Sequence, residues 1–235
     1  MKVYFLNCGY MTPKWKYVIS DPETPEECCT LLIRPVLIQT GRSNILLDTG
    51  GYSKGKGWPV VPEGNFPLYV KDGEKLEEQL ALCALTPADI DVVVISHLHY
   101  DHMSGAELFE KATFYLPKLH PSIPVERSRV ILEDTDLEEG IRLITLPGHT
   151  DAQIGMMVKL DESGTFLFPQ DSLFLEKLYG PPARLAAPGL VKDKERFLGS
   201  IEKIRKLQQE TGATIAFGHD EAFFAKMKLA PAYYE

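Results

Sequence analysis

Seven imidazole and carboxylate side chains, each just beyond an apolar run, carry the chemistry open to this sequence. Four lie in Ser96-His97-Leu98-His99-Tyr100-Asp101-His102, directly after Asp91–Ile95 with its run of Val92, Val93, Val94 and Ile95. In extended chain, residues two apart point the same way, so His97, His99 and Asp101 are expected to converge on one side. A helix starting over Met103–Phe109 would turn His102 inward as well. His149 in Pro147-Gly148-His149-Thr150 and His219 in Phe217-Gly218-His219-Asp220 each follow an apolar strand and a glycine, and Asp171 follows Phe166–Gln170. A single histidine or a single aspartate at a strand end is ordinarily a satisfied surface residue or a turn former. Here five of the six histidines share that placement, and only His120, between Leu119 and Pro121, reads as plain surface. Imidazole and carboxylate donors with no cysteine nearby suit zinc, iron or manganese and argue against a thiolate structural site.

The elements that must position these groups read mostly as strands. Val3–Asn7 alternates, Thr30–Gln39 is an apolar run interrupted by Pro35, and Asn44–Leu47 ends in Asp48-Thr49-Gly50. Together they predict an antiparallel meander turning at Thr40-Gly41. Asp91–Ser96, Ile141–Leu146 and Thr214–Phe217 read as buried strands, and Gln153–Leu160 with Thr165–Phe168 as a hairpin. Lys75–Leu85 and Lys194–Glu210 have helical spacing; the second carries a stripe of Phe197, Ile201, Ile204 and Leu207 and ends at Thr211-Gly212. Strands with helices interspersed predict two packed sheets with helices outside.

Length and composition narrow the partners. The 235 residues fit one domain spanning 1–235, and 44% hydrophobic with 25% charged residues suits a globular protein. A formal charge of -8 repels a phosphate backbone, so no nucleic-acid partner is expected. The N-terminus lacks the pattern of a signal peptide, and no apolar stretch approaches a membrane span, so no membrane partner is expected either. Cys8, Cys28, Cys29 and Cys83 make a poor disulfide framework, which points to reduced thiols in a cytoplasm.

The HxHxDH loop at His97–His102, followed by His149, Asp171 and His219, resembles the metallo-β-lactamase superfamily, as do Leu47-Asp48-Thr49-Gly50 and Gly218-His219-Asp220. The resemblance implies an αββα sandwich with two divalent metal ions at the edge where the sheets meet. His97, His99 and His149 would hold one ion, Asp101, His102 and His219 the other, and Asp171 would bridge them. Zinc is the expected metal, with manganese, iron or cobalt as alternatives. Asp48 would orient a ligand from behind. Asp171 sets the chain apart from class B β-lactamases, which lack this bridge, and His99 stands where flavodiiron proteins carry glutamate.

Within the superfamily the chain is most similar to the N-acyl homoserine lactonases, the quorum-quenching enzymes. That likeness implies hydrolysis of a small-molecule ester, a lactone first, by water activated between the two ions. Asp101 would be the catalytic residue that carries a proton to the leaving oxygen. One position departs: Phe174 stands where those lactonases carry a tyrosine that donates to the substrate carbonyl, leaving Tyr179 or Tyr100 as other sources of a hydroxyl.

Thioester hydrolysis of the glyoxalase II type is the alternative, although only sixteen residues follow His219, so the helical glutathione-gripping domain is expected to be missing. Phosphodiester cleavage and a non-catalytic metal-binding module complete the competing readings. Tyr10–Glu27, Gly50–Pro67 and Ser172–Pro188 are expected to build the substrate pocket. The apolar Ser172–Pro188 stretch suits either an acyl-chain wall or the contact surface of a homodimer.

Overall fold

A computed structural model describes residues 1–21, 26–51, 65–180 and 185–235. Strands β1 (Lys2–Phe5), β2 (Tyr10–Met11), β3 (Leu31–Leu32), β4 (Val36–Gln39), β5 (Asn44–Leu47) and β6 (Leu68–Tyr69) precede helix α1 (Leu76–Leu82). Strand β7 (Val92–Val94), helix α2 (Tyr100–Met103), then β8 (Thr113–Leu116), β9 (Ser128–Val130) and β10 (Thr135–Glu138) follow. The rest comprises β11 (Ile141–Thr145), β12 (Ile154–Lys159), β13 (Thr165–Phe168), α3 (Lys194–Thr211), β14 (Thr214–Ile215) and α4 (Glu221–Phe224).

One sheet runs β1-β4-β5-β7-β8-β9, antiparallel up to β5 and parallel from β5 onward. A second runs β10-β11-β12-β13-β14, antiparallel except for the last pair. Alternation along the strands sorts their side chains. Val3 and Phe5, Ile45 and Leu47, Ile141 and Leu143, and Phe166 and Phe168 meet in one buried cluster between the sheets. The opposite parity, including Leu46, Val93, Ile144 and Leu167, joins a second cluster with Leu76 and Leu80 of α1 and Phe197, Ile201 and Ile204 of α3. The result is an αββα sandwich. In β7, Val93 faces the helices and Val94 the other sheet, so a continuous valine run is what that strand requires.

Two expectations change. The run Thr30–Gln39 is not one strand of a meander: Pro35, which has no N–H to give a ladder, divides it. Its first part, β3, joins a small sheet β3-β2-β6, and only β4 pairs with β5 across the Thr40-Gly41 turn. The helical turn after the HxHxDH loop also begins earlier, at Tyr100, so Asp101 and His102 lie within α2 and a short 3₁₀ turn covers Ser104–Leu108. Helix α3 keeps its Phe197, Ile201 and Ile204 stripe buried and closes on Gly212 at φ +67°. No helix among the described residues is long and apolar enough to cross a membrane.

Candidate metal centre

Loops and the short helix α2 at one end of the sandwich bring all seven residues together. Their donor atoms form two groups, His97, His99, His149 and Asp171 in one and Asp101, His102 and His219 in the other, each with its atoms within 4.8 Å of one another. Asp171 reaches both: Oδ2 lies 3.3 Å from His149 Nε2 and 3.7 Å from His97 Nε2, while Oδ1 lies 3.0 Å from His219 Nε2 and 3.2 Å from His102 Nε2. Asp101 does not converge with His97 and His99 as extended chain would require. Being on a helical turn, it swings its Oδ2 to 3.2 Å from His102 Nε2 and 3.6 Å from His219 Nε2. His120 belongs to neither group, its ring paired with the Ser122 hydroxyl at 2.7 Å.

Local structure fixes each ring. Ser96, past the end of β7, is tied to the other sheet, its carbonyl accepting from Ile154 N at 2.8 Å. The Asp48-Thr49-Gly50 segment clasps α2: Thr49 N donates to His102 O at 2.7 Å and Ser104 N to Gly50 O at 3.1 Å. Gly105 permits this approach, since a Cβ there would stand 2.5 Å from Thr49 O.

Tautomers follow from the partners of the outer nitrogens. His149 Nδ1 donates to Leu190 O and His219 Nδ1 to Leu32 O, both at 2.6 Å. His102 Nδ1 donates to Asp48 Oδ2 at 2.7 Å, and Ser96 Oγ, itself donating to Asp48, accepts from His97 Nδ1 at 3.0 Å. Four Nε2 lone pairs therefore point inward unprotonated when these rings are neutral. His99 presents Nδ1, 3.0 Å from both His97 Nε2 and His149 Nε2, and one ring proton cannot satisfy both. His102 Nε2, His219 Nε2 and Asp171 Oδ1 are buried without any hydrogen bond.

Orphaned acceptors of this kind are costly unless something positive lies between them. Two ligands each about 2.0–2.1 Å from a tetrahedral ion stand about 3.3 Å apart, close to the spacings here, so the residues fit a pair of divalent cations. Protonation responds to the same crowding. Burial and the neighbouring imidazoles push His97 well below its ordinary value. Burial acts the same way on His102, but Asp101, Asp171 and Asp48 outweigh it and raise that ring well above. His219 is raised by Asp171 against its burial, and Asp171 is carried well below the carboxylate range by His219 and the other rings despite burial.

Over the two groups lies a cavity of about 170 Å³, lined on its apolar side by Met11, Leu31, Phe66, Tyr100, Phe174 and Leu190. His99 and His149 separate it from a more polar groove of about 440 Å³ that carries Lys118, Asp151 and Lys192. The family model of the metallo-beta-lactamase superfamily matches residues 33–219, which takes in every residue of both groups. The chain belongs to this superfamily.

Among its relatives, N-acyl homoserine lactonase AiiB of Rhizobium rhizogenes is 28% identical over 275 aligned positions, covering 100% of this chain and 99% of that protein. N-acyl homoserine lactonase AiiA of Bacillus thuringiensis subsp. kurstaki is 22% identical, covering 94% and 86%. A solved quorum-quenching N-acyl homoserine lactone hydrolase superposes at a TM-score of 0.85 with 22% identity, over 99% of this chain and 98% of that one. Another, with the product N-hexanoyl-L-homoserine bound at its catalytic metal centre, gives 0.83 at 23% identity over the same shares. Both share the metallo-β-lactamase fold.

The pocket differs from its sequence reading. Leu173, Leu175 and Leu178 pack into the core rather than walling the cavity, and of the Ser172–Pro188 stretch Phe174 lines it while Pro188 lines the groove. Residues 22–25, 52–64 and 181–184 of the three expected pocket segments lie outside the described residues. Phe174 sets its ring 6.3 Å from that of His219. Of the two alternative hydroxyls, Tyr179 is turned away, donating to Gln208 Oε1 with its ring against Phe217. Tyr100 does reach the cavity, but its hydroxyl donates to Phe66 O at 2.9 Å. Sequence reasoning missed the Leu32 and Leu190 carbonyls and the side chain of Gln170; no residue type marks the first two, and the third depends on a backbone angle.

Proposed function

We propose that this protein is a dinuclear metal-dependent hydrolase that opens lactones, with N-acyl homoserine lactones as the first candidates. The observation that carries the reaction class is Asp171, whose two carboxylate oxygens face two separate sets of inward-pointing lone pairs beneath an apolar cavity. In this reading His97, His99 and His149 hold one ion, Asp101, His102 and His219 the second, and Asp171 spans both. Nitrogen and oxygen donors without thiolate favour zinc, and manganese, iron or cobalt fit the same set. When bound, such a pair supplies Lewis acidity toward an ester carbonyl and a nucleophile drawn from water at neutral pH.

The chain's own groups do the rest. Asp101 lines the cavity; its carboxylate takes a proton from the attacking water and returns it to the alkoxide oxygen released when the ring C–O bond breaks. Met11, Leu31, Phe66, Phe174 and Leu190 receive the apolar part of the substrate and exclude water. No side-chain nucleophile competes from the buried serines Ser96 and Ser172: Ser96 Oγ donates to Asp48 and Ser172 Oγ to Leu146 O. The lactone as substrate class is supported by the likeness to lactonases along 94–100% of the chain. A reducing cytoplasm is the proposed location, in keeping with four free cysteines.

A pH-indicator screen against N-acyl homoserine lactones, simple γ-lactones, thioesters and phosphodiesters tests the reading. Ring opening is expected, abolished by a chelator and restored by zinc or manganese, while Asp101→Asn loses about two to four orders of magnitude in kcat. Turnover of thioesters alone would refute the substrate class. Wild-type rates in fully metallated Asp101→Asn would refute the role of that carboxylate.

A further inference from the structure

Gln170 stands next to Asp171 yet belongs to neither donor group. Its backbone is at φ +48°, in the left-handed region, one of three non-glycine residues there among the described residues. A side chain in that conformation is strained, and such strain persists where surroundings over-determine it. Three contacts do so here. The buried Gln170 side chain donates from Nε2 to Asp48 Oδ2, the oxygen that also accepts from Ser96 Oγ at 2.9 Å and His102 Nδ1 at 2.7 Å. Its backbone packs against Gly218, where a Cβ would stand 3.2 Å from Gln170 C and O. Its carbonyl accepts from Leu173 N at 3.1 Å, closing the short turn that carries Asp171.

One residue thus touches the segments bearing Asp171, His219 and, through Asp48, His102. We propose that Gln170 is a positioning residue that locks Asp48 against His102 and so tunes the ion site of Asp101, His102 and His219 in preference to that of His97, His99 and His149. The preference follows from the contacts. Asp48 touches His102 directly but reaches His97 only through Ser96, whose backbone N is independently held by Asp48 Oδ1 at 2.7 Å. Loss of the Gln170 amide leaves that second anchor intact and removes one of the three donors that fix the carboxylate oxygen facing His102. Partners one step behind a metal ligand are worth about 10–100-fold in metal affinity.

The inference rests on the two-ion reading, and its test separates the two. Full-length wild type, Gln170→Met and Gln170→Gly are stripped of metal, then titrated with cobalt(II) against a competing chelator, reading the visible spectrum. The melting of each metal-free protein is recorded alongside. Wild type is expected to bind two ions. Both variants should bind one ion with wild-type affinity and the other about 10–100-fold more weakly, with metal-free melting little changed; Gln170→Gly also relieves the backbone strain. Two ions bound as tightly as in wild type would overturn the inference. So would equal weakening of both ions, or metal-free variants that fail to fold, since each makes Gln170 merely structural. A wild-type chain that binds fewer than two ions would sink the two-ion reading and this inference together.

Discussion

Gly148→Ala measures how rigidly helix α3 and the loop carrying His149 are locked together. Gly148 sits at φ +134°, just before His149, and an added Cβ would lie 2.2 Å from Phe197 N and 2.3 Å from Phe197 Cα. Those atoms cannot yield alone, because Phe197 N donates to Asp193 O at 2.9 Å within the first turn of α3. Gly148 O in turn accepts from Lys192 N and Asp193 N, at 2.9 and 3.0 Å. At φ +134°, beyond the left-handed helical region, the backbone conformation costs alanine about 1–3 kcal/mol, and forcing a methyl into a packed contact adds about 1–3 kcal/mol. Together these give about 2–6 kcal/mol. Gly212→Ala is the control: its φ of +67° is in the left-handed helical region and nothing lies within 4 Å of the added Cβ, so only a backbone cost of about 1–2 kcal/mol applies.

Urea denaturation of the metal-free proteins reads the difference. Gly148→Ala should be the less stable variant by about 1–3 kcal/mol, or roughly 2–12 °C in Tm for a chain of this size. A cobalt(II) titration should also show weaker binding at the His97, His99 and His149 group, since His149 moves with its neighbour. Equal stability of the two variants would refute the claim that the helix backbone is a fixed wall against this loop.

Two further outcomes concern protons. Asp134, partly buried, is held below its ordinary value because hydrogen bonds from Lys203 Nζ (2.7 Å) and Thr145 outweigh the cost of burial. A depressed carboxyl contributes stability above its unfolded pKa of about 3.9 and loses it as pH falls through the lower folded value. Wild type should therefore exceed Asp134→Asn in metal-free stability by a constant margin above about pH 5, shrinking below pH 4; a margin that grows on acidification would contradict this sign. His102 and His219 are raised by their carboxylate neighbours, so the metal-free protein holds protons that cations must displace. Calorimetry at pH 7 in buffers of different ionisation enthalpy should show proton release on zinc binding, and affinity that rises with pH. Binding heats independent of buffer would count against it.

Much of the centre was legible because its signals are local. A histidine or aspartate beyond a buried apolar run is brought to a strand end by burial alone, and His97, His99, His149, Asp171 and His219 all obey that rule. The valine run at Val92–Val94 and the Phe197, Ile201 and Ile204 stripe are periodic in the same sense, and both elements formed where expected. Pro35 was noted as an interruption, but periodicity could not tell that its two sides join different sheets.

Residue types and spacing determined which side chains could bind cations, for that depends only on donor chemistry and on strand burial. The tertiary structure decided how those donors are shared: Asp101 leaves His97 and His99 because α2 turns it toward His219. It also decided which nitrogen each ring presents, since the Leu32 and Leu190 carbonyls that set the tautomers look like any other peptide oxygen along the chain. Gln170 and Asp48 are 122 positions apart, and they meet because the packed sheets bring their loops to the same end. Contacts of that range arise from packing, and no local pattern encodes them.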